Sequence, residues 1–374
     1  MTEDVLVVGA GPTGLAAALF LTERRIPCRV IDRAPHPSAT SRAQVINPRA
    51  LELLEPSGVT AAALQEARPI HRTLFYEGWE QIAELEFGDA HPRFHLSVLP
   101  QARSEALLAE ALAKRSITPE RGVALEGFSQ NHQHVEAVLA NDDGRRETVR
   151  TPILFGADGA HSTVRRALRV EFEGVGFPEA WPLYDVALDC PLDLETAHVS
   201  FVKGGLVFLL CIREKLWRVF GNVPNLLECL PPGTTAGEIV WESTFHIGHR
   251  VATRDVVGRV ALGGDAAHIH SPVAARGMNL GIEDAYVFAA CAADELTGGL
   301  DGSADRLADY GRVRHAVHEQ VVGRIARLTQ LARGRPDFVS ILRRYLIPGM
   351  TTFAPTAQQM RDLVTGLDHE VEIA

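Results

Sequence analysis

Cysteine is scarce in this chain, and none of it stands in a redox or metal-binding spacing. Cys28, Cys190, Cys211, Cys229 and Cys291 are scattered with no CxxC pair, which excludes a disulfide framework and a zinc ribbon. No apolar run reaches the roughly 18 residues that a membrane span needs. Basic charge is in deficit: 37 Lys and Arg against 47 Asp and Glu give a net charge of -10. That sign disfavours nucleic acid and anionic membranes as partners. Lysine is nearly missing, at Lys114, Lys203 and Lys215 alone, and no function is read from that bias. The start, Met1-Thr2-Glu3-Asp4, is acidic where a secretory signal is basic. A cytoplasmic protein is therefore expected, and 374 residues suffice for two domains of roughly 150 each.

What is present begins with a βαβ pattern. Val5-Leu6-Val7-Val8 is a short apolar run before glycines, as a buried parallel strand should be. An Ala/Leu-rich helix follows from Pro12 to about Arg24, and then a second strand, Cys28-Arg29-Val30-Ile31. Residues near 49–70 and 101–115 have helical composition. Val135 to Leu139 and Ile153 to Phe155 read as strands. From about Trp181 to Ile247 the texture alternates, as in Tyr184-Asp185-Val186-Ala187, which predicts an antiparallel sheet. Beyond Ser303 apolar residues recur at 3–4 spacing from Leu307 to Leu328, and helices are expected there. The stretch Ile347 to Pro355 should interrupt them.

The turn Gly9-Ala10-Gly11-Pro12-Thr13-Gly14 fits a dinucleotide fingerprint. Gly9 would make the tight turn, Gly11 would admit a pyrophosphate to the backbone, and Gly14 would let helix and strand pack closely. The helix start after Pro12 and Thr13 offers free N–H groups and the positive end of a dipole. Asp32, followed by Arg33, ends the second strand where a ribose-binding acid is needed. An acid there suits FAD or NAD and does not choose between them.

Two further segments carry glycines and acids after strands. Gly263-Gly264-Asp265-Ala266-Ala267-His268 leads through Ser271-Pro272 to Arg276-Gly277-Met278-Asn279-Leu280-Gly281. Asp265 can accept from the ribityl hydroxyls of a flavin, and Gly277, Met278 and Asn279 can present backbone N–H groups to it. The third segment is Gly156-Ala157-Asp158-Gly159-Ala160-His161-Ser162, readable by itself as a turn with Ser162 capping a helix. His268 and His270 share one face of a strand, but no ligand cluster accompanies them, and no metal is expected.

These residues resemble the single-component FAD-dependent aromatic hydroxylases, the class A flavoprotein monooxygenases whose prototype acts on 4-hydroxybenzoate. The G-D-A-A-H, Pro and G-x-N-x-G-x-x-D-A run matches through Asp284-Ala285, and D-G-x-x-S-x-x-R matches at Asp158, Gly159, Ser162 and Arg165. Where the family often has two glycines, this chain has Ala274-Ala275. The resemblance implies that Arg42 faces the FAD phosphates, that Gln101 contacts the flavin chain, and that Val123 meets the adenine. It implies that the carbonyl of Pro272 lies near the reacting centre and that His268 is a motif residue. It also implies NADPH or NADH as co-substrate and hydroxylation of an aromatic (phenolic, heteroaromatic or polyketide) small molecule through a flavin C4a-hydroperoxide. The thioredoxin-like domain that some members carry is not expected here.

The expected fold is α/β, with a Rossmann-like (GR2-type) FAD-binding domain from residues 1–70, 96–175 and 250–300. A mostly antiparallel substrate domain would take 71–95 and 176–249, and a helical segment 301–374. The expected state is a monomer or homodimer. No catalytic base is readable; Tyr184, His198, Arg213, His246 and His249 are the pocket candidates, Arg213 as a partner for a substrate carboxylate. An epoxidase or ring-opening oxygenase of the same superfamily and a non-enzymatic flavin-binding protein remain as alternatives. A halogenase would show WxWxIP, whereas Trp79, Trp181, Trp217 and Trp241 are isolated.

Overall fold

A computed structural model describes residues 4–38, 43–298, 305–334 and 337–371. Arg42 lies outside the described residues. Val5–Val8 pairs in parallel with Cys28–Asp32 on one side and Ile153–Gly156 on the other. The six-stranded sheet is completed by Glu120–Arg121 at one edge and by Val260–Leu262 and Val256–Val257 at the other. Its central strand is buried throughout, with helices packed on the face of Val5 and Val7 and the strands Val123–Gln130 and Val135–Asn141 on the face of Leu6 and Val8. The helix Pro12–Glu23 packs on it with Gly14 to Leu21 all buried.

The alternating region forms an eight-stranded sheet whose long strands Phe172–Asp189 and Thr235–Ala252 run antiparallel. Arg72–Glu77 and Glu80–Glu86 complete its far edge, and Arg72–Glu77 joins Thr196–Val202 in parallel. At the opposite edge sits His268–Ile269, directly after the Gly264-Asp265 turn. The glycine-rich motif thus ends as a strand of the second sheet, which ties the two sheets together.

The helices Gln101–Ala113 and Gly277–Thr297 stand where helical composition and the glycine loop place them. The region read as helical over 49–70 divides into Pro48–Leu54 and Val59–Glu66, with Gly58 at φ 84° between them. At the C-terminal side are Arg306–Arg333, Asp337–Thr352 and Ala354–Thr365. The expected break over Ile347 to Pro355 falls at Phe353, between Asp337–Thr352 and Ala354–Thr365, while Pro348 lies inside the former. Pro348 has no N–H and leaves the carbonyl four residues before it without its helix bond, while Ile347 beside it is anchored in an apolar cluster. No helix among the described residues is long and apolar enough to cross a membrane.

Candidate active site

Three glycine-bearing segments far apart in the chain meet at one place, and their glycines show why. A Cβ on Gly9 (φ +109°) would lie 2.3 Å from the carbonyl oxygen of Ala157, so the first segment touches the third. A Cβ on Gly264 (φ +60°) would come within 2.4 Å of Thr13 Oγ1, and one on Gly281 within 2.2 Å. The second segment therefore closes on Thr13. A Cβ on Gly14 would strike the carbonyl oxygen of Gly9 at 1.8 Å, the close helix–strand packing that the fingerprint requires.

Gly11 differs from all of these, since its Cβ would meet nothing within 4 Å. It is the N-cap of Pro12–Glu23, and no side chain caps that helix. The helix Gly277–Thr297 likewise begins without a side-chain cap. Two helix starts with orphan N–H groups, one beside an open glycine, fit the phosphates and flavin ring of FAD.

Asp32 is held by the backbone: Ala10 N donates to Oδ2 at 2.7 Å and Ala34 N to Oδ1 at 2.8 Å. Arg121 stands 3.6 Å away. A carboxylate has about four acceptor positions, so Asp32 keeps capacity for a ribose hydroxyl. Arg33 is exposed just beyond it, and Asp265 is exposed beside Gly264. Gln101 opens its helix, its Nε2 donating to Glu105 at 2.8 Å and its Oε1 accepting from Ala43 N at 3.3 Å. Val123 is buried in the core under the Rossmann sheet.

Asp158 has a structural duty, accepting from the Ser162 hydroxyl and from Thr163 N at 2.6 Å. Arg165 then donates to the carbonyls of Ala266 and Ala160, both at 2.7 Å. The Asp-Gly…Ser…Arg pattern is thereby a clasp holding the second and third segments together. Asn279 is spent similarly: Asn47 N donates to it at 3.0 Å, and its Nδ2 donates to Val45 at 3.0 Å and Ala275 at 2.8 Å. The N–H groups of its helix turn are what it leaves for a ligand.

Behind this turn lies a buried charge network that the sequence did not suggest. Asp284 Oδ2 accepts from Gly264 N at 2.9 Å and pairs with His268 Nε2 at 2.8 Å. Its Oδ1 takes Arg314 Nε at 2.7 Å and His318 Nε2 at 2.8 Å. His318 Nδ1 is 2.9 Å from Asp255. Burial disfavours a charged His318, but the Asp284 and Asp255 carboxylates outweigh it and hold its pKa at about 9. Burial alone would raise Asp284, and His318, Arg314 and His268 bring it well below the usual carboxylate range. A second cluster joins Glu283 to Arg276 at 3.2 Å and to His369 at 2.7 Å, with Asp368 3.3 Å from Arg276. His268, Asp284 and His318 present ligand atoms within 4.8 Å of one another. A charged His318 and the Arg314 guanidinium already neutralise that carboxylate, so the geometry is an ion-pair network. The visible signal was Arg314 and His318 at i, i+4 within an apolar helical stripe.

His270 lies beside Gly277, its Cε1 3.9 Å from where a Cβ there would be. Its Nδ1 is 2.8 Å from the Ser271 carbonyl, and burial pushes its pKa down to about 3. A carbonyl can only accept, so Nδ1 carries the proton and Nε2 presents a lone pair at the start of Gly277–Thr297.

An apolar cavity of about 140 Å³ lies between the eight-stranded sheet and the C-terminal helices. Phe75, Phe201, Phe208 and Phe220 form the sheet wall, and Leu328, Leu331 and Met360 face them. Pro272 to Ala275, the segment after the Gly264-Asp265 turn, forms an end wall. Pro272 is at the cavity, and its carbonyl accepts from Ala275 N at 2.9 Å.

The five pocket candidates lie outside the lining. His198 alternates with Ala197 and Val199, which line the cavity, so it points to the other face of the sheet; there it meets Tyr76 Oη at 2.9 Å. Tyr184 packs in the same opposite cluster, and Arg213 and His246 are exposed. His249 is buried with its ring 5.4 Å from Phe177.

Ala275 adopts φ 52° and ψ 32°, a left-handed conformation that costs a non-glycine residue about 1–2 kcal/mol. Ala275→Gly removes that strain, offset by about 0.4–1 kcal/mol of extra chain entropy. The expected melting temperature of Ala275→Gly is at or above that of the parent, and Ala274→Gly, lacking the strain, falls below it. Equal losses in both would contradict the strain assignment.

The fold and the cradle define a flavin-nucleotide-binding protein. More particularly, the chain belongs to the FAD binding domain family, whose model matches residues 2–207 and 223–325. It is 36% identical over 315 residues to 6-methylpretetramide 4-monooxygenase of Streptomyces rimosus, covering 79% of this chain and 56% of that protein. It is 32% identical over 303 residues to pentachlorophenol 4-monooxygenase of Sphingobium chlorophenolicum, covering 75% and 56%. The chain thus spans little more than half the length of these relatives. The p-nitrophenol 4-monooxygenase of Pseudomonas putida superposes with a TM-score of 0.87 at 20% identity, covering 97% of this chain and 98% of that one. At that identity the likeness shows the fold: a Rossmann-like domain with an interposed sheet and C-terminal helices.

Proposed function

We propose that the chain is an FAD-dependent monooxygenase that uses NADPH or NADH and O2 to hydroxylate an aromatic small molecule. One observation carries the reading: the segment leaving the Gly264-Asp265 turn becomes, at Pro272 to Ala275, a wall of the apolar cavity. Cofactor cradle and ring-sized cavity are therefore built from one continuous stretch. Relatives named 6-methylpretetramide 4-monooxygenase and pentachlorophenol 4-monooxygenase support it.

Gly9, Gly11, Pro12, Thr13, Gly14 and Asp32 would hold the pyrophosphate and ribose, with Gln101, Val123, Gly264 and Asp265 along the rest of FAD. Gly277, Met278 and Asn279 would address the ring by backbone N–H groups. FAD, when bound, supplies the electron transfer and oxygen activation. The chain's part is to place the substrate against Pro272 and to exclude water, which an apolar wall does. The eight-stranded sheet, over 71–95 and 176–249, acts as the substrate-binding unit.

The test is NADPH- or NADH-driven oxygen consumption by the FAD-loaded protein over a panel of phenols, heteroaromatics and polyketides. A rise with at least one class is expected. Flat consumption across all of them would overturn the reading.

A further inference from the structure

Among the described side chains that line the cavity, Thr73 carries the one hydroxyl, and beyond the weak thioether acceptor of Met360 the rest are hydrocarbon. Among the described residues, the lining holds no Arg, Lys, His, Asp, Glu or Tyr. Two arginines that neighbour lining residues are engaged elsewhere. Arg343 lies behind Phe201, its guanidinium 4.5 Å from that ring, and donates to the carbonyls of Ala332 at 3.2 Å and Val202 at 3.1 Å. Arg218, two residues before Phe220 on the strand Leu216–Gly221, is bidentate to Asp185 at 2.7 Å for each bond.

We infer that this cavity takes an uncharged aromatic ring without a carboxylate, and that no wall side chain removes a proton from it. The inference rests on the proposed hydroxylase reading only for naming the cavity as the substrate site. An ionised carboxylate or phenolate brought against hydrocarbon, with no ion and at most the Thr73 hydroxyl to meet it, loses far more hydration than it regains. The neutral ring gains instead, because apolar area is removed from water. Size agrees: an apolar cavity of about 150 Å³ stays dry and accepts benzene. Thr73 can offer a single hydrogen bond to a neutral hydroxyl or nitro group, which orients the ring without demanding charge.

The inference separates chemistries that the class of relatives leaves together. A site built around a substrate carboxylate needs a guanidinium in reach, and none lines this one. A site that activates a phenol by deprotonation needs an imidazole or carboxylate at the wall, and none is there either. A hydroxyl on the bound ring therefore keeps its proton on entry.

Equilibrium binding to the FAD-loaded protein, followed by perturbation of the flavin spectrum and by calorimetry, tests this with three probes of one shape. These are 4-nitroanisole, 4-nitrophenol and 4-nitrobenzoate. The anisole should bind with an affinity that does not change between about pH 6 and about pH 9. The phenol should weaken about tenfold or more over that range, following its own ionisation. The benzoate should bind about 100-fold or more weaker than the anisole, reflecting an unpaired buried charge. Benzoate binding within tenfold of the anisole, tighter binding of the phenolate than of the phenol, or no binding of the anisole would each overturn the inference. Binding is read without turnover, so a protein that binds the neutral ring and forms no product counts against the hydroxylase reading alone.

Discussion

Asp284→Asn should lower the free energy of unfolding by about 3–5 kcal/mol, the usual cost of breaking a buried pair by removing one partner. The substitution keeps an acceptor for Gly264 N, which lies 2.9 Å away, and deletes only the charge. Arg314 and His318, at 2.7 and 2.8 Å, would then be buried cations facing a neutral amide. The same network gives a pH signature. His318 is held above its ordinary value, at about 9. Its contribution is fully present below the unfolded pKa of about 6.5 and is lost as pH rises through about 9. Urea unfolding of the parent protein should show stability falling as pH rises through that value, and Asp284→Asn should flatten the fall. A loss below about 1 kcal/mol, well short of the expected range, together with an unchanged alkaline slope, would show that the network does not stabilise the fold.

Gly11→Val should abolish FAD retention while leaving the apoprotein folded. Gly11 has extended backbone, φ -79° and ψ -174°, which valine adopts freely, and a Cβ there would meet nothing within 4 Å. The space it fills is the approach to the helix start. The expected effect is FAD affinity weakened by at least about 100-fold, or about 3 kcal/mol, with an apoprotein melting temperature within a degree or so of the parent, as for surface changes. Gly14→Ala is the contrasting case, because its Cβ would lie 1.8 Å from the Gly9 carbonyl oxygen and should unfold the apoprotein. Titration of FAD into purified apoprotein, followed by fluorescence, separates the two. Gly11→Val binding FAD within a few-fold of the parent would refute the cradle.

The local parts of this architecture were legible because their physics is local. The strand, glycine turn, helix and Asp32 fall within a short span, and each residue type is demanded by its neighbours in sequence. The motif at Gly264 to Asn279 was equally visible as a string. What joins these parts was not. Thr13 locks against Gly264 and Gly281 by contacts across hundreds of residues, and nothing at Thr13 alone announces them. Asp255, Glu283, Arg314, His318, Asp368 and His369 read as ordinary polar residues until the fold buries them together. The pocket candidates show another limit. His198 and Tyr184 were chosen by chemistry, but strand periodicity gives the cavity face to Ala197, Val199 and Phe201. Ala275 illustrates a departure read correctly as a string position, whose consequence, a left-handed alanine, only the backbone reveals.

The most direct measurement is mass spectrometry of the products formed by the FAD-loaded protein with NADPH, a turned-over aromatic and isotopically labelled O2. The account predicts that one labelled oxygen atom appears on the aromatic ring. Cofactor oxidation that releases only hydrogen peroxide, with no labelled aromatic product from any ring in the panel, would contradict it.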